Sequence, residues 1–366
     1  MNPVALYIHI PFCVKKCAYC DFASWAGREG DQARYLLALE EEFRAAAAHY
    51  GKLPVATVFI GGGTPSVLPE DAVMRLMAMV RARFDLAGDA EVTVEANPGT
   101  LSKEKLRAWR DSGVNRLSMG VQAAQPRLLQ LLGRIHSPEQ AIQSVEWARE
   151  AGLRNLNLDL MYALPGQTMA EWVESVQFAL KLSPEHLSLY SLILEPGTPM
   201  TRAVEEGKLP APDDETSLQM QRVAGRILAR RGFHRYEISN YARQGFECRH
   251  NLTYWTRGDY LGLGCAAHSM MAGERFENTG DLDEYLSGVR EVSRKRIGAD
   301  EAREEAILLG TRTARGIPLE LVAGKKDAVE RLRSGGFVAV SKGRLALTER
   351  GMEVQNAVVL ELVDAR

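Results

Sequence analysis

The feature that most limits what this chain can fold into is an alternation of short apolar runs with longer amphipathic ones. VALYIHI (4–10), VATVFI (55–60), EVTVEA (91–96), RLSMGV (116–121), NLNLDLM (155–161) and HLSLYSL (186–192) read as strands. Their six or seven residues and content of Val, Ile, Leu and Tyr suit buried parallel strands. Between them, 31–49, 69–83, 102–112, 137–151 and 168–181 carry helical patterns. In the first, Tyr35, Leu36, Leu39, Phe43 and Ala47 recur near helical spacing. Ser137-Pro138-Glu139 and Leu68-Pro69-Glu70 look like helix starts, with proline in the first turn. Strand–helix–strand units imply right-handed crossovers and a parallel sheet.

Two α/β architectures fit, a doubly wound sheet and an incomplete (β/α)6 barrel. The placement of polar and glycine signals favours the second. A cysteine cluster follows the first strand, Gly61-Gly62-Gly63-Thr64 the second and Glu95-Ala96-Asn97-Pro98 the third, while Gln122 and Asp159 close the fourth and fifth. Chemistry at successive strand ends is barrel behaviour, whereas a doubly wound sheet concentrates function at one switch point.

A chain of 366 residues has room for more than this barrel. Leu209-Pro210-Ala211-Pro212-Asp213-Asp214 breaks the pattern before a helix at about 214–231. Residues 1–210 are therefore expected to form the partial barrel, and 211–366 a mixed α+β C-terminal domain. Its tail, through Gly335–Val340 and Arg344–Thr348, reads as helix, short hairpin, helix, a winged-helix-like shape. Lys+Arg total 45 against 47 Asp+Glu, a net charge of −2, and the tail has no dense basic face, so nucleic acid is not an expected partner. The tail reads as a packing appendage or lid. No apolar run approaches the roughly 20 residues of a membrane span. MNPVALYIHIPF looks like a strand and not a signal peptide, so a cytoplasmic protein is expected.

Of five cysteines, Cys13, Cys17 and Cys20 form C-x3-C-x2-C in the loop after the first strand. A reducing compartment argues against a disulfide framework. Three thiolates on one short loop can hold three irons of a cubane cluster and leave the fourth iron open. A structural zinc would need a fourth ligand from His9, Cys248 or Cys265. An open iron can bind a small chelating ligand and pass it an electron.

The run from Tyr7-Ile8-His9-Ile10-Pro11-Phe12-Cys13 to Tyr19-Cys20-Asp21-Phe22 resembles the radical S-adenosylmethionine (SAM) family. Within it, the resemblance is to the branch of oxygen-independent coproporphyrinogen III oxidase and its heme-chaperone relatives, and it extends through almost the whole chain. It implies a [4Fe–4S] cluster on Cys13, Cys17 and Cys20, with SAM chelating the unique iron and cleaved by one electron to methionine and a 5′-deoxyadenosyl radical. It also implies a SAM site. Gly62, Gly63 and Thr64 would serve the methionine amino group, where glycines allow close backbone approach. Glu95 would accept from the ribose hydroxyls, and Gln122 can both donate and accept. Arg134 would fork onto the carboxylate. Asp159, Tyr7 against the methionine methyl, and Phe22 complete the set.

Within that branch the differences point to function. Asp21-Phe22 follows the third cysteine where the oxidase pattern has Gly-Cys, and the cluster begins at residue 13, without the oxidase's long preceding segment. His250-Asn251-Leu252-Thr253-Tyr254-Trp255 matches the H-N-x-x-Y-W motif of the chaperone branch, implicated there in heme binding. An imidazole is a good axial ligand, and Tyr254 and Trp255 offer flat surface to a porphyrin. Arg249 and Arg257 would meet the propionates. Asp259–Gly264 looks like a turn lining the same mouth. The leading expectation is a heme chaperone that passes heme to an apo-protein such as a respiratory enzyme, acting as monomer or homodimer and touching a membrane only through that acceptor. The alternative is radical decarboxylation of coproporphyrinogen III. Another porphyrin-directed radical reaction, such as methyl transfer with ring opening, has no positive feature here.

Overall fold

The computed structural model describes residues 3–363; residues 1–2 and 364–366, the outer ends of the two expected domains, lie outside the described residues. Six strands, β1 (Val4–Ile10), β2 (Pro54–Gly62), β3 (Asp85–Ala96), β4 (Arg116–Gln122), β5 (Asn155–Tyr162) and β6 (His186–Ser191), lie side by side in that order. All five pairings between them are parallel. The crossovers carry α1 (Gln32–Tyr50), α2 (Ala72–Arg83), α3 (Lys103–Asp111), α4 (Pro138–Glu150) and α5 (Met169–Lys181). Strands in unbroken sequence order leave no switch point, so the doubly wound alternative falls. The sheet stays open, and the fold is the incomplete (β/α)6 barrel.

Local chemistry accounts for the helix starts. Ser137 and Gln140 close a capping box at α4, as Thr168 and Glu171 do at α5, and Ser102 caps α3. Leu68-Pro69-Glu70 is not a helix start: those residues form a turn, and α2 begins at Ala72.

The strands are uniformly apolar on one face and mixed, mostly polar, on the other. Leu6, Ile8, Val58, Ile60, Val92, Val94, Leu117, Met119, Leu156 and Leu158 are buried against the helices in the main core. The alternate positions, among them Phe59, Glu95, Arg116, Ser118, Asn157, Asp159 and Ser188, face a cavity inside the half-barrel. A period of two thus separates a dry layer from a polar interior.

Residues 259–264 are not the expected turn. Tyr260–Leu263 is a strand, β7, parallel to β1 with Leu6 opposite Leu261 and Ile8 opposite Leu263. The open edge of β1 needs partners for its N–H and C=O groups, and this remote four-residue segment supplies them. Beyond β7 run antiparallel strands His268–Met271, Glu274–Asn278 and Glu291–Arg296; beyond β6 run Asn240–Ala242 and His234–Arg235. Twelve strands therefore share one sheet, drawn from both sides of residue 210. The main core also continues through Met220, Ala224 and Leu228, and Trp172 Nε1 donates to the Met220 carbonyl at 2.8 Å. A second core opens at Ile307 and includes Val322, Leu332, Val338, Leu345 and Val358. It is built from helix Lys326–Ser334, a hairpin of Val338–Ser341 with Arg344–Leu347, and helix Gln355–Leu362, the expected helix–hairpin–helix order.

Candidate functional site

The carboxyl ends of β1–β6 surround a cavity of about 460 Å³, lined by Cys13, Cys17, Cys20, Phe22, Gly62, Gly63, Thr64, Glu95, Gln122, Arg134 and Asp159. That volume suits a small cofactor. These residues come from six stretches of chain, and only the sheet brings them to one cavity.

The cysteine loop is tethered by backbone. Ala18 N–H donates to the Leu132 carbonyl at 3.0 Å, its carbonyl accepts from Met200 N–H at 2.8 Å, and Trp25 N–H donates to the Pro11 carbonyl at 2.8 Å. Thr64 Oγ1 lies 3.5 Å from Cys13 Sγ, and Arg134 Nη1 donates to Cys17 Sγ at 3.5 Å. Among the described residues no three His, Cys, Asp or Glu side chains converge as a single metal ion requires. The proposed fourth zinc ligands are occupied elsewhere. His9 contacts the Tyr7 hydroxyl and the Ala23 carbonyl, Cys248 donates to Glu91, and Cys265 donates to the Thr279 carbonyl. Three sulfurs lining one cavity suit a cluster with an open iron.

The glycine run lets β2 close onto the cluster segment. Gly62 has φ +111°, and a Cβ there would lie 2.4 Å from the His9 ring. Gly63 and Thr64 N–H donate to the carbonyls of Ile10 and Phe12, each at 2.8 Å. Gly62 N–H donates to Glu95 Oε2 at 3.0 Å. Burial, and then the charge of Asp159, push the Glu95 carboxyl up to about 7, against the pull of that N–H and of Arg116. Gln122 is a buried non-glycine residue at φ 67°, where the β4–β5 register slips. Such a backbone is strained and aims the amide at the cavity. Arg134 Nη2 donates to the Gly120 carbonyl at 2.7 Å, while its buried Nε has no partner among the described residues. Asp159 accepts from Asn157 Nδ2 at 2.7 Å; burial raises its pKa, and Asn157, Ser188, Arg116 and Arg134 offset that.

Other expected site residues lie elsewhere. Tyr7 is not on the cavity wall; its ring sits 6.2 Å from that of Phe59, which is. The H-N-x-x-Y-W segment forms a short helix, α6 (Arg249–Trp255), set against β2 and β3. Glu91 of β3 caps it, accepting from the backbone N–H of Arg249 and of His250, each at 3.0 Å. His250 is 1% exposed. Its Nδ1 lies 2.8 Å from Thr57 Oγ1 and its Nε2 2.8 Å from the Tyr254 hydroxyl. Burial, with Arg116 second, pulls its pKa down to about 3. Both ring nitrogens of His250 are thus hydrogen-bonded within the chain. Tyr254 stacks edge-on to Tyr260, and Trp255 lies under the Arg312 guanidinium at 4.4 Å. Arg249 is bonded to Asp89 and Arg257 to Glu305. Of the four expected heme contacts, only Asn251 lines the cavity.

Sequence reasoning missed Arg116, Ser118, Asn157, Ser188 and Tyr190, all on the cavity wall. The signal was present: Asn157 stands two residues before Asp159, and strand residues two apart share a face.

Residues 7–179 match the model of the radical SAM superfamily. Over 96% of its length the chain is 38% identical to the heme chaperone HemW of Bacillus subtilis (strain 168), of which it covers 97%. It is 38% identical to HemW of Mycobacterium tuberculosis (strain ATCC 25618 / H37Rv) over 99% of the chain and 95% of that protein. The chain belongs to the HemW family. HemW of Escherichia coli (strain K12) is 44% identical over 73% of the chain and 70% of its own length. In fold the chain is similar to coproporphyrinogen III oxidase (HemN) from Escherichia coli, a radical SAM enzyme, with TM-score 0.86 over 98% of this chain and 90% of that one at 24% identity. All the candidate cluster and SAM residues lie within 7–179, whereas α6 lies outside it.

Proposed function

We propose that the chain is a cytoplasmic heme chaperone, which takes up heme and hands it to an apo-protein, with a [4Fe–4S] cluster and SAM in its cavity. The observation that carries the cofactor reading is that three cysteines line one cavity together with Glu95, Gln122, Arg134 and Asp159. The heme reading rests on HemW relatives matched along nearly the full chain. Cys13, Cys17 and Cys20 hold the cluster. Gly62–Thr64 admit the methionine end of SAM, Glu95 accepts its ribose hydroxyls through the oxygen that Gly62 leaves free, and Arg134 meets its carboxylate. When bound together, cluster and SAM supply one-electron reductive chemistry. Among the described residues no helix is long and apolar enough to cross a membrane.

With His250 engaged, the cavity rim is the better place for heme. Phe22 is 62% exposed and Ile193 66%, and both line the mouth with Tyr190, Lys15 and Lys16. Apolar side chains left in water at a concave mouth mark a binding surface, and the lysines suit propionates. Titrating heme into anaerobically reconstituted protein, followed at the Soret band, tests this. Saturation near one heme per chain is expected. The double variant Phe22→Ser, Ile193→Ser should bind about tenfold to a hundredfold more weakly, since each side chain loses part of the ~1.5–3 kcal/mol of a full burial. Unchanged affinity in that variant would move heme elsewhere. No saturable binding even in wild type would favour the oxidase reading, tested by CO2 release from coproporphyrinogen III with SAM and reductant.

A further inference from the structure

The interior of the half-barrel holds a cation that none of the roles above uses. Arg116 opens β4, opposite Thr93 and Asn155. Two residues on, Ser118 stands opposite Glu95 and Asn157; two further, Gly120 stands opposite Asp159. The period of two turns Arg116, Ser118 and Gly120 to the cavity, and Gly120, having no side chain, admits Gln122 Nε2 and Arg134 Nη2 to within 2.7 and 2.9 Å of where its Cβ would stand. Arg116 is 2% exposed and lines the cavity, yet its Nε has no hydrogen-bond partner among the described residues. A guanidinium stays charged and is costly to bury without compensation.

Three carboxylates lie around it. Glu91 is committed, since its oxygens cap α6. Glu95 and Asp159 face the cavity and so face whatever occupies it. We infer that Arg116 is a positioning residue for the SAM site: from the cavity floor it keeps Glu95 and Asp159 as anions, able to accept the hydrogen bonds of the bound nucleoside. The inference rests on the SAM reading proposed above. It stands on the placement of a buried cation, its Nε without a hydrogen-bond partner among the described residues, on the strand positions below Glu95 and Asp159 and beside Glu91, Cys248 and Tyr236, in a cavity where charge interactions are weakly screened. The electrostatics agree, because Arg116 favours the ionised form of both.

The groups acting on Glu95 come from every side. Tyr7 faces it from β1, the Gly62 N–H from β2, Arg116 from β4, Asp159 from β5, Tyr190 from β6 and Tyr254 from α6. The three phenols are all held above their usual pKa by burial and stay neutral near neutrality. The response around pH 7 therefore belongs to the carboxylates, with Asp159 opposing ionisation of Glu95 and Arg116 supporting it.

The test is equilibrium dialysis of SAM against the reconstituted holoprotein without reductant, from about pH 6 to about pH 9. In wild type the affinity rises with pH with a midpoint near 7, as Glu95 ionises. In Arg116→Met the midpoint moves up by about one pH unit, so binding is weaker by roughly tenfold below it and recovers at the alkaline end. Arg116→Lys returns the midpoint to the wild-type position. If Arg116→Met does not fold, Arg116→Gln carries the same comparison. An unmoved midpoint, with affinity unchanged or lowered equally at every pH, would mean a merely structural arginine and overturn the inference. Wild-type protein that binds no SAM at any pH would overturn the SAM reading itself, and the inference with it.

Discussion

Replacing Cys17 by alanine is expected to leave a folded chain without its iron–sulfur cluster. Iron and acid-labile sulfide should fall to a trace of the wild-type content, while the melting temperature of the apo-protein stays within a few degrees. The reason lies in how the loop is held. Its tethers are the backbone bonds of Ala18 to Leu132 and Met200 and of Trp25 to Pro11, together with the short Phe12–Trp25 ladder. None of them uses a thiol, and the three cysteines belong to none of the buried apolar clusters. Arg134 loses one contact but keeps the Gly120 carbonyl. Cys248→Ala and Cys265→Ala should keep full iron content, because those thiols are buried against Glu91 and the Thr279 carbonyl. Full iron in Cys17→Ala, or lost iron in Cys248→Ala, would refute the ligand set.

His250→Ala should destabilise the fold by about 3–5 kcal/mol, whether or not heme is present. The imidazole is packed 5.1 Å from the Phe59 ring and 6.5 Å from that of Tyr7. Removing it opens a void and leaves the Thr57 and Tyr254 hydroxyls without the partners they now have. Each stranded buried group costs about 1–3 kcal/mol, and the void adds its own share. The pH dependence has a definite sign. In the native state His250 titrates at about 3, far below its value of about 6.5 in an unfolded chain. Between those values the unfolded chain binds the extra proton, so wild-type stability falls as pH drops below about 6.5. His9, His136 and His186 are also held neutral by burial, so the variant should lose one share of this acid sensitivity and not all of it. Chemical denaturation at several pH values measures both effects. A variant as stable as wild type would refute this structural role of the imidazole.

The elements were legible because their signals are local. Five of the six strands and the five crossover helices fall within about three residues of their expected positions, β3 beginning six residues earlier than expected at Asp85, and the caps at Ser137 and Thr168 are spelled out in neighbouring residues. What the apolar reading of the strands obscured was their alternation: RLSMGV and NLNLDLM hide a polar column, and Arg116, Ser118 and Asn157 belong to it. β7 escaped because a four-residue strand flanked by glycine looks like a turn, and only the unpaired edge of β1 makes it a strand.

By itself, the sequence determined the α/β class, the order of strands and helices, and the loop that gathers three thiols, since hydrophobic period, capping and short spacing are all encoded within a few residues. Tertiary structure alone decided what the remote segments do. Thr57 and His250 are 193 residues apart, as Glu91 and the N-terminus of α6 are separated by more than 150, and no local pattern records that they meet. A buried histidine and an exposed ligand have the same residue type and the same neighbours in sequence. For His250 one partner, Tyr254, lies on its own helix, and only the tertiary structure supplies the other, Thr57.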